Sequence, residues 1–306
     1  MISIIVPNYN HRKFLSQRLE TIFNQTFQDF EVILLDDCST DGSWEYLKQF
    51  ENHPKVSHCI RNESNSGSPF KQWKKGLDLA KYEWIWIAES DDFCDLEFLS
   101  YLISEIEEKV NLIFCKSLYI DESNALIEND VFLKEMDIYS IKAAFKDMKG
   151  LLFVSQFLTK RNYILNASSV IFKKPALFPE KILNMKFTGD WYFWIYLIKE
   201  NKIKYLNKPL NYFRFHPGTT RNFLGDDFEL KRSQEIIDTI SFALKVSKRY
   251  FPNYYDSHNF EIIRDYFIYQ FKLGRLRLEA IFPSISIFFY PLYMLFYFKS
   301  FFSKKI

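Results

Sequence analysis

The sequence predicts an α/β fold, with a mostly parallel β-sheet flanked by helices and a helical C-terminal extension. Three observations support it. In the first 120 residues, short apolar runs alternate with amphipathic stretches, as strands alternate with helices in such folds. The apolar runs are nearly continuous, which indicates parallel strands buried on both faces. From about residue 226 onward the pattern is helical only.

The elements follow one another in a regular order. Strands are predicted at residues 2–6, 31–35, 56–60, 84–88, 112–119 and 168–172. Helices are predicted at residues 14–23, from Ser43, after Pro69 and from about Asp190. In an open parallel sheet the ligand lies beyond the carboxyl ends of the strands. The segments that lie there are residues 7–10, 36–43 and 89–92.

Length and charge set broad limits on organisation and partners. The 306 residues suffice for a catalytic domain with an appended module. We expect a sheet-containing domain at 1–222, with halves at 1–120 and 121–222, and a helical region at 223–306. With 40 Lys and Arg against 38 Asp and Glu, the net charge of +2 gives no reason to expect a nucleic-acid partner.

The cysteines and the N-terminus favour a cytoplasmic protein. The four cysteines lie far apart without a C-x-x-C pair, and no secretory segment precedes the first predicted strand. The oligomeric state is not indicated by any pattern.

Aromatic residues become more frequent toward the C-terminus, where residues 281–302 form an aromatic and apolar stretch. Its length nearly suffices to span a bilayer. Pro283, Pro291 and Lys299 favour association with the membrane surface instead. A packed helix pair and a true span remain as alternatives.

Two adjacent carboxylates, Asp36 and Asp37, end the second predicted strand. The following Asp41 and Gly42 suit a tight turn, and Asp41 or Ser43 could cap the next helix. Capping does not explain two neighbouring acids, one of which could accept a hydrogen bond from a base or ribose at the ligand edge. Nucleotide binding and simple capping are both compatible with the pattern.

Three acids, Glu89, Asp91 and Asp92, occur within four residues directly after the most aromatic predicted strand. They repel one another unless a cation joins them. Mg²⁺ and similar ions prefer one or two carboxylates together with substrate phosphate oxygens. Residues 89–92 are therefore a candidate metal site. The alternative is that they form a solvated acidic loop.

Two later segments add candidate groups. Asp190 follows a glycine at a predicted helix start, where it could be either an N-cap or a further acid of the site. Residues 214–221 gather two arginines, a histidine and two hydroxyls, which suit phosphate oxygens but also occur in ordinary surface loops.

Taken together, the segments at 6–10, 36–43, 89–92 and 189–190 resemble the motifs of family 2 glycosyltransferases of the GT-A fold. Their order and spacing are similar to the family pattern over roughly residues 1–220. The resemblance implies an inverting enzyme that uses a nucleotide-diphosphate sugar. Residues 1–222 would then be its catalytic domain, with a nucleotide-binding half at 1–120 and an acceptor half at 121–222. By the same resemblance, Asp37 would read a ring N–H of the base and Asp190 would be the general base.

The resemblance also implies a set of site residues. The nucleotide-binding set is Pro7, Asn8, Tyr9, Asn10, Asp36, Asp37, Ser39, Lys71, Lys74 and Asp91, with Pro7 and Tyr9 flanking the base. The metal set, for Mn²⁺ or Mg²⁺, is Asp92, Asp91 and His216. The acceptor or diphosphate set is Glu89, Trp191, Arg214 and Arg221.

The function expected on this basis is transfer of a sugar, from a UDP-sugar in the first instance, to a glycan or lipid-linked glycan in bacterial surface polysaccharide synthesis. The protein would act at the inner face of the cytoplasmic membrane. Two alternatives are a sugar-phosphate nucleotidyltransferase and a non-catalytic scaffold of the same fold. The first usually carries a glycine-rich phosphate loop, which residues 7–14 lack, and the second would be marked by loss of Asp92 or Asp190.

Overall fold

A single mixed sheet forms the centre of the fold. The computed structural model describes residues 1–127, 147–218 and 226–248, and within them the sheet has nine strands. The elements of the first half are β1 (Ile2–Asn8), α1 (Arg12–Phe23), β2 (Phe30–Asp36), α2 (Ser43–Leu47), β3 (Val56–Arg61), α3 (Pro69–Leu79) and β4 (Trp84–Ile87). The four strands are parallel in the order β3-β2-β1-β4. The predicted α/β architecture is confirmed.

The second half is less regular. Its elements are β5 (Phe93–Cys94), α4 (Phe98–Ser104), β6 (Val110–Ile120), β7 (Asp147–Lys149), α5 (Gly150–Phe153), β8 (Val170–Lys173), α6 (Gly189–Ile198), β9 (Lys202–Arg214) and α7 (Asp226–Lys248). The sheet continues from β4 through β8, β6 and β9 to β5, and β7 pairs with β9. Here β8 is antiparallel to both of its neighbours, whereas β6 and β9 are parallel. Parallel pairing thus dominates only in the first half.

Helices cover both faces of the sheet. Successive side chains of a strand point to opposite sides, so one strand contributes to the core on each face. In β1, Ile5 packs into one core cluster together with Trp73 of α3. Its neighbour Ile4 packs into the other cluster together with Leu19 of α1. At Gly76 of α3, an added Cβ would lie 2.3 Å from Cγ2 of Ile5, so this glycine permits close packing of the helix on the strand.

The described part of the C-terminal region belongs to the same core. Ile240, Ala243 and Leu244 of α7 are buried in the cluster that also contains Phe193 and Trp194 of α6. The boundary expected at residue 222 therefore falls before a helix that packs on α6 of the preceding region. The predicted membrane-associating tail at 281–302 and Arg221 lie outside the described residues. Within the three described ranges, no helix has the length and apolar character needed to cross a membrane.

Candidate functional site

The polar residues after the first, second and fourth strands meet at one edge of the sheet. Strand β1 lies between β2 and β4, with Asn8 in register with Asp36. The backbone N–H of Ala88, just after β4, donates to the carbonyl of Ile5 at 2.8 Å. The acidic turn of residues 89–92 therefore continues beside the ends of β1 and β2, as the sequence predicts.

Asp36 shapes the loop that follows β2. Its Oδ1 accepts a 2.8 Å hydrogen bond from Asn8 Nδ2, and its Oδ2 accepts one from the backbone N–H of Ser39 at 2.9 Å. Arg61 Nε lies 3.6 Å from the same Oδ2. Asp36 is only 1% exposed, so it stabilises the loop after β2 from the protein interior. The hydroxyl of Ser39 in turn accepts from Asn8 Nδ2 and from the backbone of Asn10.

Asp37 binds the segment between β3 and α3. Its Oδ1 accepts from Asn62 Nδ2 at 2.6 Å and from Gln72 Nε2 at 2.7 Å. Its Oδ2 accepts from the hydroxyl of Ser66 at 2.8 Å, and the backbone N–H of Ser66 lies within reach of both oxygens. A base N–H would have to join or displace these donors. Gln72 is a participant that the sequence pattern did not single out.

Tyr9 is the exposed member of the predicted base-binding set. Its side chain is 46% exposed at the end of β1, beside the half-buried Pro7. Asn10 holds the turn after Tyr9 with a φ of 57°, and its Oδ1 accepts from the backbone N–H of Thr40 at 2.9 Å. The exposed Tyr9 is therefore available for contact at this edge of the sheet.

The predicted cations on α3 are engaged by protein groups. Lys71 Nζ donates to the carbonyl of Ser66 at 2.9 Å, which places it on the segment that Asp37 binds. Lys74 Nζ forms a 2.8 Å ion pair with Asp78 one turn along the helix. Of the two, Lys71 is the one that contacts the segment between β3 and α3.

Asp92 is the most deeply buried acid of the acidic turn, at 1% exposure. Asn166 Nδ2 donates to its Oδ2 at 2.8 Å, and the backbone N–H of Arg214 donates to its Oδ1 at 2.9 Å. Burial and the charge of Asp91 raise the pKa of Asp92 to about 6. Asp92 joins the turn to the segments around β8 and β9, and Asn166 was not identified from the sequence.

Asp91 is the more accessible of the two aspartates, with a side chain 14% exposed. His216 Nε2 lies 3.0 Å from its Oδ2. Burial alone would raise the pKa of Asp91, but the charge of His11 and the hydrogen bond and charge of His216 outweigh it and lower that pKa to about 2. Asp91 is therefore ionised and accessible, which are the properties that a metal ligand needs.

His11 is a site residue that the sequence pattern did not identify. Its Nδ1 lies 2.8 Å from the hydroxyl of Ser90, and its ring meets the His216 ring edge-on at 5.3 Å between centroids. Burial lowers the pKa of His11, which favours the neutral imidazole that binds metals. Its position directly before α1, next to the end of β1, was the available signal.

Two overlapping groups of side chains could hold a divalent cation. Glu89, Asp91 and Asp92 place ligand atoms within 4.8 Å of one another, and so do His11, Asp91 and His216. Carboxylates suit Mg²⁺ and Mn²⁺, whereas imidazole ligands are typical of transition metals. The donor set fits a divalent ion, with Asp91 common to both groups. Compared with the predicted set, Asp91 is central and Asp92 is the least accessible.

Two positive charges lie close to the acidic turn. Arg18 is fully buried on α1, and its charge opposes the burial and the neighbouring acids that raise the pKa of Glu89 well above its ordinary value. In the sequence, Arg18 falls on the apolar face of α1, and this position could have identified it as a buried charge. Arg214 donates from Nε to the carbonyl of Asp91 at 2.7 Å and from Nη2 to Gln17 Oε1 at 2.8 Å. In this arrangement Arg214 braces the turn.

Asp190 opens α6 at the edge of the same acidic group, since its charge is one of those that raise the pKa of Glu89. Asp190 Oδ1 accepts from the backbone N–H of Trp191 at 2.7 Å, and its Oδ2 accepts from Asn162 Nδ2 at 3.0 Å. The Trp191 ring is 5% exposed and its Nε1–H donates to the carbonyl of Leu158 at 3.0 Å. The structure thus places Trp191 in the core, although the sequence predicted an acceptor or diphosphate contact.

Sequence comparisons identify relatives of this chain among glycosyltransferases. A sequence model of the family named Glycosyl transferase family 2 matches residues 3–164. Glycosyltransferase GlyG of Streptococcus pneumoniae serotype 4 is 25% identical over 260 residues, which cover 81% of this chain and 80% of GlyG. Poly(ribitol-phosphate) β-N-acetylglucosaminyltransferase TarS of Staphylococcus aureus strain Mu50 is 36% identical over 110 residues, 35% of this chain. That match spans only 19% of TarS.

Solved structures share the fold. Residues 1–349 of S. aureus TarS in complex with UDP-GlcNAc match with a TM-score of 0.62 and 21% identity, over 95% of this chain and 78% of that one. Mannosyltransferase PcManGT from Pyrobaculum calidifontis, in complex with GDP-Man and Mn²⁺, matches with a TM-score of 0.51 and 15% identity, over 80% of this chain and 64% of that one. Since the family match covers more than half of its residues, the chain belongs to glycosyl transferase family 2, as a glycosyltransferase of the GT-A fold.

Proposed function

We propose that this glycosyltransferase moves a sugar from a nucleoside-diphosphate donor to a hydroxyl of a glycan acceptor, with inversion at the anomeric carbon and Asp190 as general base. One observation carries the proposal: Asp190 lies at the start of α6 with both carboxylate oxygens oriented by hydrogen bonds, from the backbone N–H of Trp191 and from Asn162 Nδ2. Its charge also acts on Glu89 of the acidic turn. The proposal thus assigns the proton acceptor and the candidate cation-binding group to one site.

The bonds change in a single displacement. The acceptor oxygen forms a bond to the anomeric carbon while the bond from that carbon to the diphosphate oxygen breaks. The electron pair leaves with the nucleoside diphosphate, and the proton of the acceptor hydroxyl passes to Asp190. Asn162 Nδ2 and the backbone N–H of Trp191 hold the two oxygens of Asp190 and so fix its orientation.

Asp91, with Glu89, Asp92, His11 and His216 around it, would hold a divalent ion. Such an ion supplies positive charge that stabilises the departing diphosphate. The two ligand groups that share Asp91 support this role. The mixed oxygen and imidazole donors favour Mn²⁺ over Mg²⁺.

The nucleotide end of the donor would lie over Pro7 and Tyr9. The exposed ring of Tyr9 supports base stacking. The loop formed by Asn8, Asn10, Asp36 and Ser39 would face the ribose, while Asp37 and Lys71 order the adjoining segment. Because the TarS structures were solved with UDP and UDP-GlcNAc, a UDP-sugar is the donor to test first.

The acceptor is proposed to be a glycan of bacterial surface polysaccharide synthesis, free or lipid-linked. The relationship to bacterial enzymes of cell-surface polysaccharide synthesis supports this class. In this proposal the protein acts at the inner face of the cytoplasmic membrane, and residues 281–302 associate with the membrane surface. Fractionation of cells that express the full chain or residues 1–280 tests this location, and a truncated chain that stays in the membrane fraction would contradict it.

Donor hydrolysis tests the catalytic proposal directly. The full chain is incubated with a panel of nucleotide sugars in Mn²⁺, Mg²⁺ or EDTA, and released nucleoside diphosphate is measured. We expect release from one donor in Mn²⁺ and loss of release in EDTA. Absence of both release and nucleotide binding across the panel would favour a scaffold. Release of pyrophosphate from a nucleoside triphosphate and a sugar phosphate would instead identify a nucleotidyltransferase.

A further inference from the structure

A buried carboxylate from the C-terminal helix binds the main chain just before α6. Glu235 of α7 is 5% exposed. Its Oε1 accepts from the backbone N–H of Lys186 at 2.8 Å, and its Oε2 accepts from those of Phe187 at 2.7 Å and Thr188 at 3.0 Å. Three consecutive N–H groups therefore converge on one side chain.

These three residues lead directly into the start of α6. Thr188 is the residue before Gly189, where α6 begins, and Asp190 follows. A second contact joins the same two elements, because the hydroxyls of Thr188 and Thr239 lie 3.1 Å apart. Only one residue separates Thr188 from Asp190. The backbone that Glu235 binds therefore constrains the position of the Asp190 Cα, from which the side chain extends.

The chemistry of the contact is directional and strong. Hydrogen bonds from N–H groups to an ionised carboxylate are about twice as strong as neutral ones. A negative charge near the N-terminus of a helix also interacts favourably with the helix dipole. Apolar packing of α7 alone could hold the helix in place, but it would not orient three successive peptide groups.

From this geometry we infer that Glu235 is a positioning residue for the reaction. It acts through the main chain of residues 186–188 and fixes the location of Asp190 relative to the acceptor hydroxyl. The inference rests on the proposed function of Asp190. It makes α7, which lies beyond the expected catalytic domain boundary at residue 222, part of the catalytic unit.

The same helix offers a matched control. Asp238 forms a 3.0 Å ion pair with Lys181, and its side chain is 25% exposed. This pair also joins α7 to the segment before α6, whereas the backbone N–H groups of residues 186–188 donate to Glu235. Asp238→Asn therefore removes one polar contact of α7 and leaves the three peptide contacts of Glu235 intact.

The test compares Glu235→Gln, Glu235→Ala and Asp238→Asn in the full chain. Glutamine keeps the size of Glu235 but turns an NH₂ group toward one of the backbone donors. A misplacement of about 1 Å can lower turnover about 100-fold. We expect kcat of Glu235→Gln to fall by about 10- to 100-fold, with the donor KM within about twofold of wild type. Glu235→Ala should fall at least as far, and Asp238→Asn should match the wild type.

Backbone hydrogen exchange of the peptide that covers residues 186–191 gives a readout independent of activity. It should become faster in Glu235→Gln and stay unchanged in Asp238→Asn. Unchanged exchange, unchanged kcat, or an equal fall in kcat for Asp238→Asn would each overturn the inference. The proposed function fails separately, if Asp190→Asn retains wild-type turnover. Should Glu235→Ala not fold, the Glu235→Gln and Thr239→Val variants carry the same comparison.

Discussion

The guanidinium of Arg18 lies against the indole of Trp86, with Cζ 4.8 Å from the ring centroid. The side chain is fully buried, and within residues 1–127, 147–218 and 226–248 none of its nitrogens has a hydrogen-bond partner. Trp86 is in β4, directly before the acidic turn. Arg18 lowers the pKa of both Glu89 and Asp92 through its charge, against the larger effect of burial. It is a fixed positive charge beneath a candidate cation site.

Removal of this charge should strengthen cation binding. Arg18→Met keeps most of the side-chain length and removes the repulsion between the guanidinium and a bound cation. We expect the affinity for Mn²⁺, measured by calorimetry, to rise by up to about tenfold, which corresponds to about 1.4 kcal/mol. Arg12→Met is the control, because Arg12 lies on the same helix over Tyr46 and belongs to neither ligand group. Weaker or equal Mn²⁺ binding in Arg18→Met would contradict the counter-charge role.

Asp190→Asn should separate chemistry from binding. The amide keeps the shape of the side chain but cannot accept the acceptor's proton at neutral pH. We expect kcat to fall by about 100- to 10,000-fold, the range typical of a lost general base, while the nucleotide still binds. Steady-state kinetics and calorimetry with the nucleoside diphosphate make the measurement. If turnover falls by less than a few-fold, the base is another residue.

Asp92 should make the stability of the metal-free protein depend on pH. Burial and the charge of Asp91 raise its pKa to about 6, whereas an unfolded aspartate titrates near 3.9. Between these values the folded protein binds more protons than the unfolded chain, so the stabilising contribution is present at low pH and is lost as pH rises through about 6. Two pKa units correspond to on the order of 3 kcal/mol.

We therefore expect Asp92→Asn to gain stability relative to the wild type as the pH rises from about 5 to about 7.5. The measurement is the difference in Tm between the two proteins in EDTA. Asp78→Asn on α3 is the control and should show no such trend. A difference that stays constant, or that moves in the opposite direction, would show that Asp92 does not titrate in this range.

Gly189→Ala should disturb the helix that carries Asp190. A Cβ at this position would lie 2.4 Å from Cε2 of Phe70, whose ring is 4% exposed and packs on Trp73. Overpacking of this kind costs about 1–3 kcal/mol. We expect Gly189→Ala to lower both the unfolding free energy in urea and kcat. In the background of Phe70→Leu, which makes room for the methyl group, the same substitution should cost less, and equal costs would exclude this clash as the cause.

Local patterns were sufficient for the framework of the fold and for bringing the polar residues of the candidate site to one edge of the sheet. Apolar runs revealed the parallel strands of the first half, because strands buried on both faces need apolar side chains on both faces. The rule that ligands lie at the carboxyl ends of such strands then selected Asn8, Asp36 and the acidic turn. Asp190 was also predictable at a helix start, since the glycine before it is a local signal.

The division of roles within the site depended on tertiary structure. Asp91 is reachable and Asp92 is buried because β8 and β9 bring Asn166 and Arg214 to one of two adjacent acids. No sequence period signals that β8 enters the sheet antiparallel to β4.

The sequence by itself therefore determined the family pattern, the order of the first strands and the chemical types at their ends. Only the folded chain decided that His11 and Arg18 join the acidic turn and that Glu235 holds the segment before Asp190. The physical reason is that periodicity reports which face of an element is buried, whereas the partner of a buried polar group is set by contacts between segments distant in sequence.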